Sequence, residues 1–371
     1  MVLALGTFLS WHFSSAVVVP DHSPWSEEVT IEAVGPRRIT FERSETSLRP
    51  GVYGLTWPHG HAVVGPVLQV GETSVQRRLG DVRGRLTAQT EAGFESNVYA
   101  GAPDEARGLP FDEVSIRGEL GRMPAWLIPA PSRIWVIVVH GINDDREVGL
   151  RIAPVLHRLG LPSLLITYRD DVGAPSSPDG HHHMGLTEWR DLQAAARYAL
   201  SRGARRLVLV GYSMGGAIVT QFAERSPLAG RVSAIVLDAP VLDWKATIEF
   251  NATQMGLPGF LALPVEWAVG ARIDADWQSL KAVDHSDDFR LPVLLFHGEE
   301  DEVVPIETSE DFAESLPRRV VFYRLPRAGH TQSWNVDPDL YERRLRRFLL
   351  RVTPETGSVR PTKKGRPEGR P

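Results

Sequence analysis

The stretch Arg206–Gly216, RLVLVGYSMGG, decides how this chain is read. A short apolar run, Leu207 to Val210, breaks into Gly211-Tyr212-Ser213-Met214-Gly215, and a helix-like segment, Ala217 to Arg225, follows directly. Strand, sharp turn and helix in that order make G-x-S-x-G a nucleophile elbow: the turn holds the serine in a strained conformation with its hydroxyl outward, and the glycines let strand and helix approach without Cβ clashes. Ser213 is therefore the candidate nucleophile. The five residues alone are weak support, because three fixed positions match by chance in a chain of this length about one time in ten.

The surrounding pattern supplies the context. Apolar runs of the kind buried on both faces of a parallel sheet recur at Ile134–Val139, Ser163–Tyr168, Val232–Pro240, Val293–Gly298 and Val320–Leu325, with helical segments between them, including Glu188–Ser201. This predicts an α/β architecture: a mostly parallel sheet flanked by helices, with the elbow near its middle. Two strands joined by a turn at Gly118–Gly121 precede it, Glu113–Arg117 and Pro124–Pro129. The interval Ala239–Leu291 is too long for a connection and reads as a helical cap, broken at Pro258-Gly259.

Upstream the texture differs. From Glu27 to Tyr99, short alternating runs (VTIEAV, RITFER, GVYGLTW, AVVGPVLQV) are punctuated by glycine and proline, predicting a small all-β module. The expected organisation is an apolar segment over 1–20, a β-rich module with its linker over 21–110, a catalytic domain over 111–352 with its cap over about 239–291, and a disordered tail over 353–371. The first twenty residues carry no Asp, Glu, Lys or Arg. They read either as a membrane anchor or signal, or as an apolar arm packed on the body.

Composition narrows the classes. With 371 residues, 42% of them hydrophobic, the chain is globular. The net charge of -5 offers no basic footprint for nucleic acid. The absence of cysteine excludes disulfides, thiolate catalysis and cysteine zinc sites. His59 and His61 share a strand-like face but lack a third ligand, and His181-His182-His183 cannot converge on one ion from a regular element. Both groups read as ordinary turn or rim histidines, and neither a metal nor an organic cofactor is expected.

A serine hydroxyl needs a neutral imidazole to take its proton and a carboxylate to orient that imidazole, in the order serine, acid, histidine along a chain of this type. After the run at Val293 comes His297-Gly-Glu-Glu-Asp301, and after the run at Val320 comes Ala328-Gly329-His330. Asp301 is the expected acid and His330 the base, with Asp238 the rival acid. The oxyanion donors should be the backbone N–H groups of Met214 and Ile142, the latter in His140-Gly-Ile-Asn-Asp144, where His140 shapes the loop. An imidazole base must be neutral, so activity should fall as pH drops through about 6 to 7.

With HGIND at His140, YRDDVGAPSSPDG at Tyr168, TEWRD at Thr187, GYSMGG at Gly211, DAP at Asp238, HGEEDEVVP at His297 and AGH at Ala328, the chain resembles the α/β-hydrolase superfamily from about Phe111 to Val352, and within it the serine aminopeptidase-like and monoacylglycerol-lipase-like branch. The resemblance implies a serine hydrolase of Ser213, Asp301 and His330, and the expected partner is a small-molecule acyl substrate. It also raises the expectation of an N-terminal membrane segment. The oxyanion loop lacks the double glycine of HGGG-type esterases. Ester cleavage through an acyl-serine is the leading expectation. A peptidase or thioesterase on the same residues, or a fold kept only for binding, are the alternatives, and a fluorophosphonate probe on Ser213 separates the last from the rest.

Overall fold

The computed structural model describes residues 11, 14–15, 17–23, 27–256 and 262–354, the side chains of 286–288 excepted. Most of the apolar segment, the Pro258-Gly259 break and all but the first two residues of the expected tail lie outside the described residues.

Seven strands form the N-terminal module: β1 (Glu27–Val29), β2 (Ile31–Gly35), β3 (Arg38–Glu42), β4 (Tyr53–Trp57), β5 (Gly60–Val70), β6 (Ser74–Arg83) and β7 (Ala92–Glu95). They make one sheet in the order β1-β7-β4-β5-β6-β3-β2, every pairing antiparallel. Alternation along the strands sends Ile39, Phe41, Tyr53, Leu55, Val64 and Phe94 into one core. Each such side chain contributes roughly 1.5–3 kcal/mol by burial. Arg77 is buried among them, donating to the carbonyls of Ser47, Arg49, Gly51 and Gly65 over the ring of Phe94.

The linker that ends the 21–110 segment contains one short helix, Pro103–Arg107, ended by Gly108 in the left-handed region. Proline at the first helical position and glycine just past the last are the local reason, and sequence reading for strands overlooked them.

The second sheet has eight strands: β8 (Asp112–Arg117), β9 (Arg122–Ile128), β10 (Ile134–Val139), β11 (Ser163–Ile166), β12 (Arg206–Tyr212), β13 (Val232–Asp238), β14 (Val293–Gly298) and β15 (Val320–Leu325). Their order is β15-β14-β13-β12-β10-β11-β9-β8, parallel from β15 to β11, with β9 and β8 antiparallel at the end. The inner strands are buried along almost their whole length, which is why they read as continuous apolar runs. The β8 edge instead carries exposed Asp112, Glu113 and Arg117, which discourage pairing with another chain.

Helices α1 (Ala153–Arg158), α2 (Trp189–Ser201), α3 (Met214–Arg225), α4 (Trp244–Gln254), α5 (Ala262–Ile273), α6 (Glu307–Ser315) and α7 (Pro338–Val352) connect and cover the strands. Helix α2 lies against the sheet through Leu192, Ala194, Ala195, Ala196 and Ala199, small side chains that let it approach closely. Helices α4 and α5 and a 3-10 turn at Ala282–Asp288 occupy the long interval between β13 and β14. Trp244 at the start of α4 donates from its indole to the Met184 carbonyl, pinning this layer to the loop after β11.

Candidate active site

β12 delivers Ser213 at the point where the sheet ends and α3 begins. Its backbone sits at φ 51°, ψ −120°, a region costing a non-glycine residue about 1–3 kcal/mol. The turn is fixed from both sides: Ser213 N donates to Asp238 O at 3.1 Å, and Val241 N donates to Ser213 O at 3.1 Å. A Cβ at Gly215 would stand 2.3 Å from the Val139 carbonyl oxygen, so the strand-to-helix approach requires glycine there.

The loops after β14 and β15 bring Asp301 and His330 to that serine. Ser213 Oγ lies 2.9 Å from His330 Nε2, and His330 Nδ1 lies 2.8 Å from Asp301 Oδ2. Asp301 Oδ1 accepts from the N–H groups of Val303 and Val304, both at 2.9 Å. His297 adds its Nε2 at 3.2 Å from Asp301 Oδ2 and is itself fixed by Ser309 Oγ at 2.7 Å from Nδ1. Burial alone would favour the neutral acid, but the two imidazoles and their hydrogen bonds outweigh it and hold the Asp301 carboxyl well below the usual carboxylate range. This is a carboxylate suited to fix one tautomer of His330 and leave Nε2 free to take a proton from Ser213.

Opposite the elbow runs the loop after β10. A Cβ on Gly141 would fall 3.0 Å from the Ser213 Cβ, so backbone passes directly beside the hydroxyl. Met214 is fully buried at the start of α3, and Ile142 is half-buried in the turn beyond Gly141. His140 is buried behind this loop, with Nδ1 2.8 Å from Gly141 O and Nε2 2.8 Å from Asp171 Oδ2. Both neighbours are acceptors, so only an imidazolium satisfies both. Burial opposes that charge, but Asp171 prevails and the pKa is pushed up to about 9. Tyr168 stacks on the ring at 4.4 Å and donates its hydroxyl to Gly141 O at 2.6 Å.

The architecture and this geometry can be set beside known proteins. The esterase of Pyrococcus furiosus shares the fold, with a TM-score of 0.57 at 20% identity over 68% of this chain and 94% of that one. Residues 176–353 match the model of the prolyl oligopeptidase family. The α/β hydrolase domain-containing protein WAV2 of Arabidopsis thaliana is 25% identical over 176 residues, 45% of this chain and 54% of its own length. The chain has the α/β-hydrolase fold. An uncharacterized protein of Mycobacterium tuberculosis is 29% identical to this chain over 241 residues, 62% of this chain and 75% of the relative. The N-terminal sheet matches a domain of unknown function, DUF8805, over residues 30–95.

Other residues singled out in the sequence stand elsewhere. Asp238, the rival acid, is fully buried behind the elbow and accepts from Ser333 Oγ at 2.7 Å, with His330 turned to Asp301 instead. His59 is exposed in the turn before β5 and His61 is buried within that strand, where burial first and Arg83 second lower its pKa to about 4. Of the three consecutive histidines, His181 meets Arg272, His183 meets Asp179, and His182 Nε2 lies 3.1 Å from Asn143 Oδ1 on the loop after β10. His181 Nδ1 also lies 3.7 Å from the Asp179 Oδ2 that His183 Nε2 meets at 3.1 Å, whereas His182 faces away to Asn143. Among the described residues no group of three or more His, Cys, Asp or Glu could hold a metal.

Sequence reading missed Asp171 and His297. Both stood inside quoted motifs, one residue from Asp170 and four before Asp301, but nothing in their spacing tells which neighbour each will face. Among the described residues no helix is long and apolar enough to cross a membrane.

Proposed function

We propose that this chain hydrolyses carboxylic esters of small-molecule acyl substrates through an acyl-Ser213 intermediate, with no metal or organic cofactor. The observation that supports this reading best is the series Ser213 Oγ, His330 Nε2, His330 Nδ1 and Asp301 Oδ2, linked at 2.9 and 2.8 Å. In the first step His330 takes the Ser213 proton as Oγ attacks the acyl carbonyl. The tetrahedral oxyanion is held by the N–H groups of Met214 and Ile142. Collapse expels the alcohol, protonated by His330. Water, deprotonated by the same imidazole, then attacks the acyl-serine and frees the acid. The layer over 239–291 is the expected source of acyl selectivity, and membrane association is the role proposed for residues 1–20.

The test is turnover of p-nitrophenyl esters of graded chain length by the full chain and its Ser213→Ala variant, with fluorophosphonate labelling of the same site. Equal turnover by wild type and variant would overturn the reading. A peptidase is the second reading, favoured by the prolyl oligopeptidase match over 176–353. Hydrolysis of a prolyl or aminoacyl arylamide faster than any ester in the panel would select it.

A further inference from the structure

The turn that follows His330 is where the two sheets meet. Val52 N donates to Asn335 O at 2.9 Å, while Asn335 Nδ2 donates to Val52 O and to Ser96 O, each at 2.8 Å. Tyr53 donates its hydroxyl to Gln332 Oε1 at 3.1 Å. Val52, Tyr53 and Ser96 belong to the N-terminal module, and Gln332 and Asn335 stand two and five positions after the candidate base.

This contact is built. A Cβ at Gly51 would lie 2.0 Å from the Asn335 carbonyl oxygen, and Gly51 has φ +99°, so only glycine lets the two backbones come this close. Buried Arg77 holds the approach segment, donating at 2.7 Å to each of the Arg49 and Gly51 carbonyls. From the opposite side, Arg151 Nη1 donates at 2.8 Å to both Thr331 O and Asn335 Oδ1. Thr331, adjoining His330, sits at φ 52°, a conformation that a β-branched residue keeps only when its surroundings impose it.

We infer that the N-terminal sheet is a positioning element of the acyl-transfer site: through Gly51, Val52 and Tyr53 it holds the Gln332–Asn335 turn, and Asn335 is the positioning residue that sets the reach of His330 toward Ser213. The inference rests on the acyl-transfer reading for its kinetic consequence but on the contacts alone for its geometry. The module then touches no substrate, and its loss is felt in kcat and not in KM.

The test uses the full chain and two changes at the contact. Asn335→Asp keeps the acceptor for Arg151 and removes the donor to Val52 and Ser96; Tyr53→Phe removes only the hydroxyl from a ring that remains packed on Phe94. Measured with p-nitrophenyl acetate, the double variant is expected to lose roughly tenfold or more in kcat with KM within about twofold, the signature of a misplaced group. Fluorophosphonate labelling of Ser213 should slow in parallel, and the downfield imidazole N–H resonance of His330 should broaden. Should the double variant fail to fold, Tyr53→Phe alone is read the same way, with a smaller loss expected.

Unchanged kcat and an unchanged resonance in a folded variant overturn the inference, as does a change confined to KM. A wild-type chain that neither turns over esters nor takes the probe, yet whose variants still lose the resonance, overturns the acyl-transfer reading and upholds the positioning role.

Discussion

His140 and Asp171 form a buried ion pair, Nε2 to Oδ2 at 2.8 Å, beneath the loop that carries Gly141 and Ile142. The folded-state pKa of His140, about 9, lies above its ordinary value of 6.5. The contribution of the pair is therefore fully present below the unfolded value and lost as pH rises through about 9. The stability difference between wild type and His140→Gln, from urea midpoints at about pH 6, 8 and 10, should shrink up the series. A difference constant with pH would show that the ring carries no extra proton.

Removing the other partner should be severe. Asp171→Asn leaves an imidazolium buried without its counter-charge, and breaking such a pair typically costs about 3–5 kcal/mol. Denaturant unfolding at neutral pH checks the magnitude, and a loss under about 1 kcal/mol would contradict a charged pair.

The strain at Ser213 can be separated from its chemistry. Ser213→Ala keeps the Cβ and the unfavourable φ, whereas Ser213→Gly releases it. Both should lose ester turnover by about 10⁴-fold or more, and the glycine variant should be the more stable of the two by roughly 1 kcal/mol or more. Thermal unfolding of the pair decides it. Equal midpoints would mean the elbow holds no strain.

Two carboxylates competed for the role of acid. Asp301→Asn should lower kcat by about 10⁴-fold by imposing the wrong tautomer on His330. Asp238→Asn, acting behind the elbow, should cost at most about tenfold because its carboxylate meets Ser333 Oγ while His330 is bonded to Asp301. Comparable losses from both, in steady-state kinetics of folded proteins, would reopen the assignment.

Arg77 answers four carbonyls from one planar guanidinium. A lysine supplies one point charge in its place, so Arg77→Lys should be nearly as disruptive as Arg77→Met, each costing about 2–4 kcal/mol. Retention of wild-type stability by Arg77→Lys, in urea titrations, would refute the four-carbonyl account.

The fold was readable because its determinants are local. The apolar runs at Ile134, Leu207, Val232 and Val293 declare a strand buried on both faces, and Gly211 with Gly215 declare the turn between them. Ser213, Asp301 and His330 could be singled out because each stands at a strand end, where chain order orders space. What escaped was set by packing between distant segments. Nothing near Asn335 in sequence points to Val52, and nothing near His140 distinguishes Asp171 from Asp170 as its partner. The short helix at Pro103 carried a local signal, proline then glycine, that a search for alternation passes over.

The bond between Asn335 and Val52 joins residues 283 positions apart. On a ribosome adding about 5–20 residues per second, the first sheet waits on the order of tens of seconds for the turn it will grip. Until that turn emerges, the Gly51–Tyr53 segment has nothing to hold and nothing fixes the place of His330. A chain broken off between residues 226 and 334 carries its serine elbow without the clasp, so the closing of this one contact marks the moment at which synthesis has delivered a whole site.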